Sequence, residues 1–211
     1  MNWEQMPLGP LQTNCYIISN RAKVCLIVDP GGEGARLINH LQKRNLKPQA
    51  ILLTHAHFDH IGAVDDVRNH YNIPVYVHEK EASWLMDPAL NGSHYFLTSN
   101  AIQMNKADQL FVKEEMKTVG DFTFQILYTP GHSPGSVSFY FSEGEFVVAG
   151  DALFNGSIGR TDLPGGNHQQ LLTSIHEKLL SLPEDTHVLP GHGLTTTIID
   201  EMDSNPFLNG F

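Results

Sequence analysis

Apolar positions along this chain fall into short β-branched runs separated by turn-forming clusters, with helix-period stretches between some of them. Residues 14–18 and 24–28 are two such runs, and Ser19-Asn20-Arg21-Ala22-Lys23 between them predicts a hairpin. Asp29-Pro30-Gly31-Gly32 closes the second strand, and residues 33–45 then place Leu37, Ile38 and Leu41 on one helical face. Residues 50–53 predict a buried strand that runs directly into Thr54-His55-Ala56-His57. A helix over 63–71, a strand over 73–77 and a short helix over 79–86 follow. From 87 to 108 the period is lost, which predicts an irregular segment; Asn91-Gly92-Ser93-His94-Tyr95-Phe96 within it reads either as a substrate lid or as an ordinary surface loop.

The second half repeats this style. Residues 122–128, 136–141 and 145–149 read as strands, and 168–182 as a helix with Leu171, Leu172, Ile175 and Leu179 inward. Residues 186–189 form a last core strand. Each half thus supplies a sheet and its helical cover. Two sheets face to face with helices outside, an α/β (α+β) arrangement of the αββα type, best buries these surfaces within one domain spanning 1–211.

Composition changes the picture in three respects. The net charge is −10 and no run of lysine or arginine occurs, so counterion release would contribute little and nucleic acid is not an expected partner. No basic and apolar leader opens the chain, and no stretch reaches the roughly 18 apolar residues of a membrane span. Cys15 and Cys25 both fall within strand-like segments and read as buried free thiols. A cytoplasmic location with no membrane partner is the expectation. Histidine is the abnormal count, at 12 in 211 residues.

Position gives those histidines meaning. Four times, a metal-type ligand lies just beyond an apolar strand: at His55 to His60, at His132, at Asp151 and at His192. Strand ends hold such ligands with little rotamer freedom, as a preorganised metal site requires. In extended backbone, residues two apart face the same way, so His55 and His57 can grip one ion. Asp59 and His60 follow where the chain turns into a helix, and can diverge toward a second. Imidazole with carboxylate suits zinc, iron or manganese, and no cysteine ligand points to a structural zinc site. The other seven histidines (His40, His70, His78, His94, His168, His176 and His187) read as ordinary surface or core residues, with His94 singled out by its place in the expected lid.

The run Thr54-His55-Ala56-His57-Phe58-Asp59-His60 resembles the HxHxDH signature of the metallo-β-lactamase superfamily, and His132, Asp151 and His192 complete its pattern in order. The resemblance implies the αββα sandwich and two divalent metal ions, zinc before iron or manganese. It implies one ion on His55, His57 and His132, the other on Asp59, His60 and His192, and Asp151 between them. Asp59 and Asp151 are then the catalytic carboxylates. β-Lactamases with a cysteine ligand would need Cys where Asp151 stands, and flavodiiron proteins a glutamate where His57 stands.

The segments around His132, Gly150-Asp151-Ala152-Leu153-Phe154 and Leu189-Pro190-Gly191-His192-Gly193 look like glyoxalase II-type hydrolases, and Asn205-Pro206-Phe207-Leu208 like their short bacterial form. Such a resemblance implies hydrolysis of a small-molecule thioester. Only 19 residues follow His192, fewer than the helical domain through which longer members hold glutathione, so another carrier thiol is open. Gly159-Arg160-Thr161-Asp162 resembles a stretch of persulfide dioxygenases, which use a single iron; that reading and lactone hydrolysis stand as alternatives. Arg160 reads either as a residue near the substrate or as a turn arginine in a surface ion pair.

Overall fold

The computed structural model describes residues 1–97 and 101–208. The backbone gathers into two compact units: Met1–Val112 with Thr118–Phe122, and Lys113–Lys117 with the chain from Thr123 onward.

The first unit is built on a six-stranded sheet of β1 (Asn2–Leu8), β2 (Thr13–Ser19), β3 (Val24–Val28), β4 (Lys47–Leu52), β5 (Val75–His78) and β6 (Gln109–Phe111), in that spatial order. The first three strands meander antiparallel, and from β3 onward the pairings are parallel. Parallel neighbours require crossovers, and helices α1 (Gly34–Lys43), α2 (Phe58–Ile61) and α3 (Val64–Tyr71) lie in these connections, with the short α4 (Ser93–Phe96) before β6. Leu37 and Leu41 of α1 and Val64 and Val67 of α3 pack into one core with Ile27, Ile51 and Val75 of the sheet. The apolar period of α1 is what buries them.

A second sheet, ordered β14-β13-β10-β9-β8-β7, is formed by β7 (Met116–Val119), β8 (Phe122–Tyr128), β9 (Val137–Phe141), β10 (Phe146–Gly150), β13 (His187–Pro190) and β14 (Thr196–Thr197), and apart from residues 118, 119 and 122 these strands belong to the second unit. A two-stranded hairpin of β11 (Leu153–Phe154) and β12 (Ser157–Ile158) leaves the end of β10. Helices α5 (His168–Ser174) and α6 (Ile198–Ser204) complete the unit. Beyond Ser174 the α5 backbone continues as a π-helical turn over Ile175–Leu179, where Leu180 N–H bonds the Ile175 carbonyl. Leu171, Leu172, Ile175 and Leu179 all stay buried, as their spacing predicts.

Two expectations change. The helix expected over 79–86 is one 3₁₀ turn, Glu79–Glu81, followed by further turns: Trp84 N–H bonds Glu81, Met86 bonds Ser83 and Asp87 bonds Trp84, each three residues back. Pro88 disfavours helical backbone at Asp87, so no longer helix propagates through this segment. The irregular segment at 87–108 holds α4, within the stretch 91–96 singled out from the sequence, while residues 98–100 of the segment lie outside the described residues. Among the described residues, no helix is long and apolar enough to cross a membrane.

Candidate metal centre

In the first unit, register decides which residues meet. Val28 lies opposite Leu52 and Leu52 opposite Tyr76, all on parallel strands, so the chain leaves β3, β4 and β5 along one edge of the sheet. Asp29, the run Thr54 to His57, and the turn at Glu79–Glu81 are the segments that emerge there. Crevices outside the carboxyl ends of parallel strands are where open α/β sheets place their ligands.

Asp29 organises this edge. It is buried, with backbone in the left-handed region (φ 50°). Its Oδ1 accepts Thr54 N–H at 2.8 Å, and its Oδ2 accepts the Thr54 hydroxyl at 2.6 Å. His60 Nδ1 stands 3.0 Å from the same Oδ2. A carboxylate only accepts, so His60 Nδ1 carries the proton. The single Thr54 hydroxyl hydrogen is committed to Asp29, so His55 Nδ1, 3.1 Å from Thr54 Oγ1, also donates. Both imidazoles are thereby fixed with the Nε2 lone pair outward, the form that binds a metal.

Asp29, His55 and His60 offer donor atoms within 4.8 Å of one another. With three hydrogen bonds already on its oxygens, Asp29 serves better to aim the two rings than to ligate. Asp59 has its own orienting partner, Thr13, whose hydroxyl donates to Oδ2 at 2.8 Å. That oxygen lies 3.6 Å from His60 Nε2. The His57 ring sits edge-on to His55, with centroids 4.9 Å apart, and against Trp84 at 5.6 Å.

The second unit has an equivalent edge. β10 and β13 are parallel, with Gly150 opposite Pro190, and Gly191 N–H bonds the Gly150 carbonyl at 2.8 Å. Asp151 and His192 therefore leave side by side. Since β8 and β10 both run antiparallel to β9, the segment carrying His132 exits in the same direction. His132 Nδ1 lies 2.8 Å from the Arg160 carbonyl oxygen, which fixes its proton there and turns Nε2 toward Asp151 Oδ2 at 3.5 Å. His192 Nε2 lies 3.6 Å from the same oxygen.

These separations test the fit to a metal. At 3.5–3.6 Å they exceed good hydrogen bonds. With metal–ligand bonds of ~2.05 Å, the edge of a tetrahedral coordination sphere is about 3.3 Å, close to what is found. A lone-pair nitrogen facing a carboxylate oxygen is repelled unless a proton or a metal cation lies between them, and 3.5–3.6 Å is long for a proton-bridged N–H···O contact. The donor chemistry of each unit therefore suits ligation of divalent metal: His55, His57, Asp59 and His60 in the first, His132, Asp151 and His192 in the second.

Several contributors escape sequence reading because they carry no ligand. Asp29 is one; its strand-end position before two glycines is the signal that could have marked it. Glu201, buried in α6, is another. Its carboxylate accepts Thr196 Oγ1 at 2.7 Å, Asn205 Nδ2 at 2.6 Å and Gly156 N–H at 3.0 Å, and Asn205 Nδ2 also reaches the Ser157 carbonyl at 3.0 Å. These bonds tie α6 to the hairpin that follows Asp151. The Arg160 guanidinium pairs with Asp162 at 2.7 and 2.9 Å on the surface, the ion pair of a turn. That pairing holds the Asp162 carboxyl down at about 2. His94 is exposed, edge-on to Tyr95. His78 is buried and accepts Lys80 N–H at 3.2 Å; burial and the nearby Lys80 charge lower its pKa.

Residues 8–192 match the family model of the metallo-β-lactamase superfamily, and the chain belongs to that superfamily of metal-dependent hydrolases. It has the metallo-β-lactamase fold, mixed sheets flanked by helices. It is 53% identical over 211 residues to the probable metallo-hydrolase YqgX of Bacillus subtilis, covering all of this chain and 99% of that protein. To the hydroxyacylglutathione hydrolase GloC of Haemophilus influenzae it is 39% identical over 210 residues, 99% of each chain. Among solved structures, that of the BLEG-1 B3 metallo-β-lactamase superposes with a TM-score of 0.97 at 56% identity, covering 99% of this chain and all of that one. TTHA1623 in a di-iron-bound form superposes with a TM-score of 0.83 at 41% identity, covering 97% of this chain and all of that one.

Proposed function

We propose that this chain hydrolyses a small-molecule thioester, using two divalent cations held by His55, His57 and His132, and by Asp59, His60 and His192, with Asp151 shared. The observation that carries this reading is the set of three nitrogen-to-carboxylate separations of 3.5–3.6 Å, with the metal-facing tautomer fixed at His60 and His132. When bound, such cations bring the pKa of water from ~15.7 toward 7 and polarise a carbonyl as Lewis acids.

The chain's own residues do the rest. Asp29, through Thr54, keeps His55 and His60 donating from Nδ1, so their Nε2 atoms stay basic. The Arg160 carbonyl does the same for His132. Thr13 holds the Asp59 carboxylate; in this reading Asp59 is a ligand first and can also take and pass on a proton. A thiolate leaves a tetrahedral centre readily because it is weakly basic, so no separate acid is required of the protein. The likeness to GloC across 99% of both chains supports a thioester, and zinc suits the donor set, with iron supported by the di-iron neighbour.

The likeness to BLEG-1 favours a second reading, opening of a β-lactam ring by the same activated water. That leaving group is an amine nitrogen, which needs a proton that a thiolate does not. One experiment separates them: elemental analysis of the purified protein, followed by assays on lactoyl thioesters of several thiols and on a chromogenic β-lactam. Two metals per chain and chelator-sensitive thioester cleavage are expected. β-Lactam opening without thioester cleavage transfers the assignment to the second reading. One iron per chain with oxygen uptake on a persulfide overturns hydrolysis altogether.

A further inference from the structure

We propose that Glu81 is a positioning residue for the His55-Ala56-His57 pair, an inference that builds on the metal reading above. The pair lies in a gap of regular structure. β4 ends at Leu52 and α2 begins at Phe58, so neither a strand ladder nor a helix sets the backbone at residues 55–57. What sets it is the turn that follows β5.

Glu81, with no exposed surface, accepts the Ala56 N–H on Oε2 at 2.6 Å. Three residues further, Trp84 lies against the His57 ring with centroids 5.6 Å apart. Further along, the Asn91 carbonyl accepts the Phe58 N–H at 3.0 Å, while Asn91 Nδ2 donates back to the Trp84 carbonyl at 3.1 Å. Three consecutive residues of the ligand loop are thus gripped from one neighbouring segment, at a peptide N–H, a ring face and a second peptide N–H.

Glu81 is the member whose role is chemically specific. An ionised or neutral carboxyl oxygen, or an amide oxygen, can accept from Ala56; an alkyl group of the same size cannot. Backbone between two imidazoles determines where both Nε2 atoms point, and errors of about 0.5 Å are enough to loosen such a site. Glu81 is assigned no ligand role in this reading. It acts through the histidines.

The test uses full-length protein loaded with zinc, and follows metal release to an excess of chelator in wild type, Glu81→Gln and Glu81→Met. Circular dichroism of each metal-free protein reports folding separately. Glu81→Met is expected to release metal about 10–100-fold faster, the effect of losing an outer-shell support. Glu81→Gln, which keeps an acceptor oxygen, is expected to stay close to wild type. Wild-type release from a folded Glu81→Met protein overturns the proposal, as does Glu81→Gln releasing as fast as Glu81→Met. Should Glu81→Met not fold, Glu81→Asp decides: its shorter arm withdraws the acceptor, so faster release supports the role and unchanged release overturns it. A wild-type chain that holds no metal removes the metal reading itself, a failure seen before any variant is made.

Discussion

Arg160 reaches His132 through its backbone, not its side chain: the carbonyl oxygen takes the Nδ1 proton at 2.8 Å while the guanidinium turns away to Asp162. A ring nitrogen's state is thereby set by a peptide group, which no side-chain substitution removes.

Arg160→Ala should therefore leave metal content unchanged and lower turnover by less than about fivefold, the scale of an exposed ion pair. Its signature lies in Asp162 instead. The hydrogen bond from Arg160, largest among the causes, depresses that carboxyl to about 2, so the stabilisation it brings is present above the ordinary carboxylate range and is lost as pH falls through about 2. In Arg160→Ala, the carboxyl resonance of Asp162 in an NMR titration should move up toward 3.8. An unmoved midpoint would show that the pair does not form in solution.

Asp151→Ala strikes the carboxylate that faces both His132 and His192 at 3.5 and 3.6 Å. Loss of one or both metals is expected, with turnover down at least ~100-fold because the activated water goes with them. Elemental analysis beside the thioester assay reads both. Full metal content with normal turnover would dismiss the shared-ligand role.

Asp29→Asn puts an amide N–H₂ among three donors: Thr54 N–H, Thr54 O–H and His60 Nδ1–H. The metal-free protein should lose about 1–3 kcal/mol in urea unfolding, the cost of leaving buried partners unmatched. Metal affinity should fall about 10–100-fold as His55 and His60 lose their orientation. Equal affinity would mean that the rings are aimed by packing alone.

Gly131, next to His132, holds φ 134°, and a Cβ there would lie 2.3 Å from Leu171 N and 2.4 Å from its Cα. Gly131→Ala must push the start of α5 away, at a cost of roughly 2–4 kcal/mol. Gly193, beside His192, has φ 78° but nothing within 4 Å of its added Cβ, so Gly193→Ala bears backbone strain alone, about 1–2 kcal/mol. Thermal melts of the two metal-free variants should rank them in that order; a reversed order refutes the close approach of α5.

Cys15 and Cys25 are both wholly buried, and burial raises both thiols, that of Cys25 to about 12. Since only a thiolate reacts, neither should be modified by an aromatic disulfide reagent at pH 8 until the protein is unfolded. Rapid labelling of the native protein would contradict this packing.

The placement of the candidate ligands at strand ends was legible because buried strands write themselves in sequence. Continuous apolar runs such as Ile51-Leu52-Leu53 and Phe146-Val147-Val148-Ala149 name a buried strand, and the first polar group after each is the one the fold brings to its edge. Elements with half-exposed surfaces were not. β1 buries only Met6 and Leu8 and contains Pro7, so it offers no apolar run. α6 is a short acidic segment with Ile198 and Glu201 inward, and only the bonds of Glu201 reveal its purpose. Asp29 and Glu81 carry no motif, since what they do depends on parallel register between β3, β4 and β5 and not on local spacing.

The clasp formed by Glu201 and Asn205 has a wider implication. Gly156 is bound by a carboxylate 45 positions away, and the hairpin it belongs to connects Asp151 to the Arg160 carbonyl. Trimming the chain short of Thr196 would remove none of the candidate ligands, yet it would take away the carboxylate and the amide that hold this hairpin in place. The tail is thus a latch on that hairpin, made of side chains that no ligand motif marks.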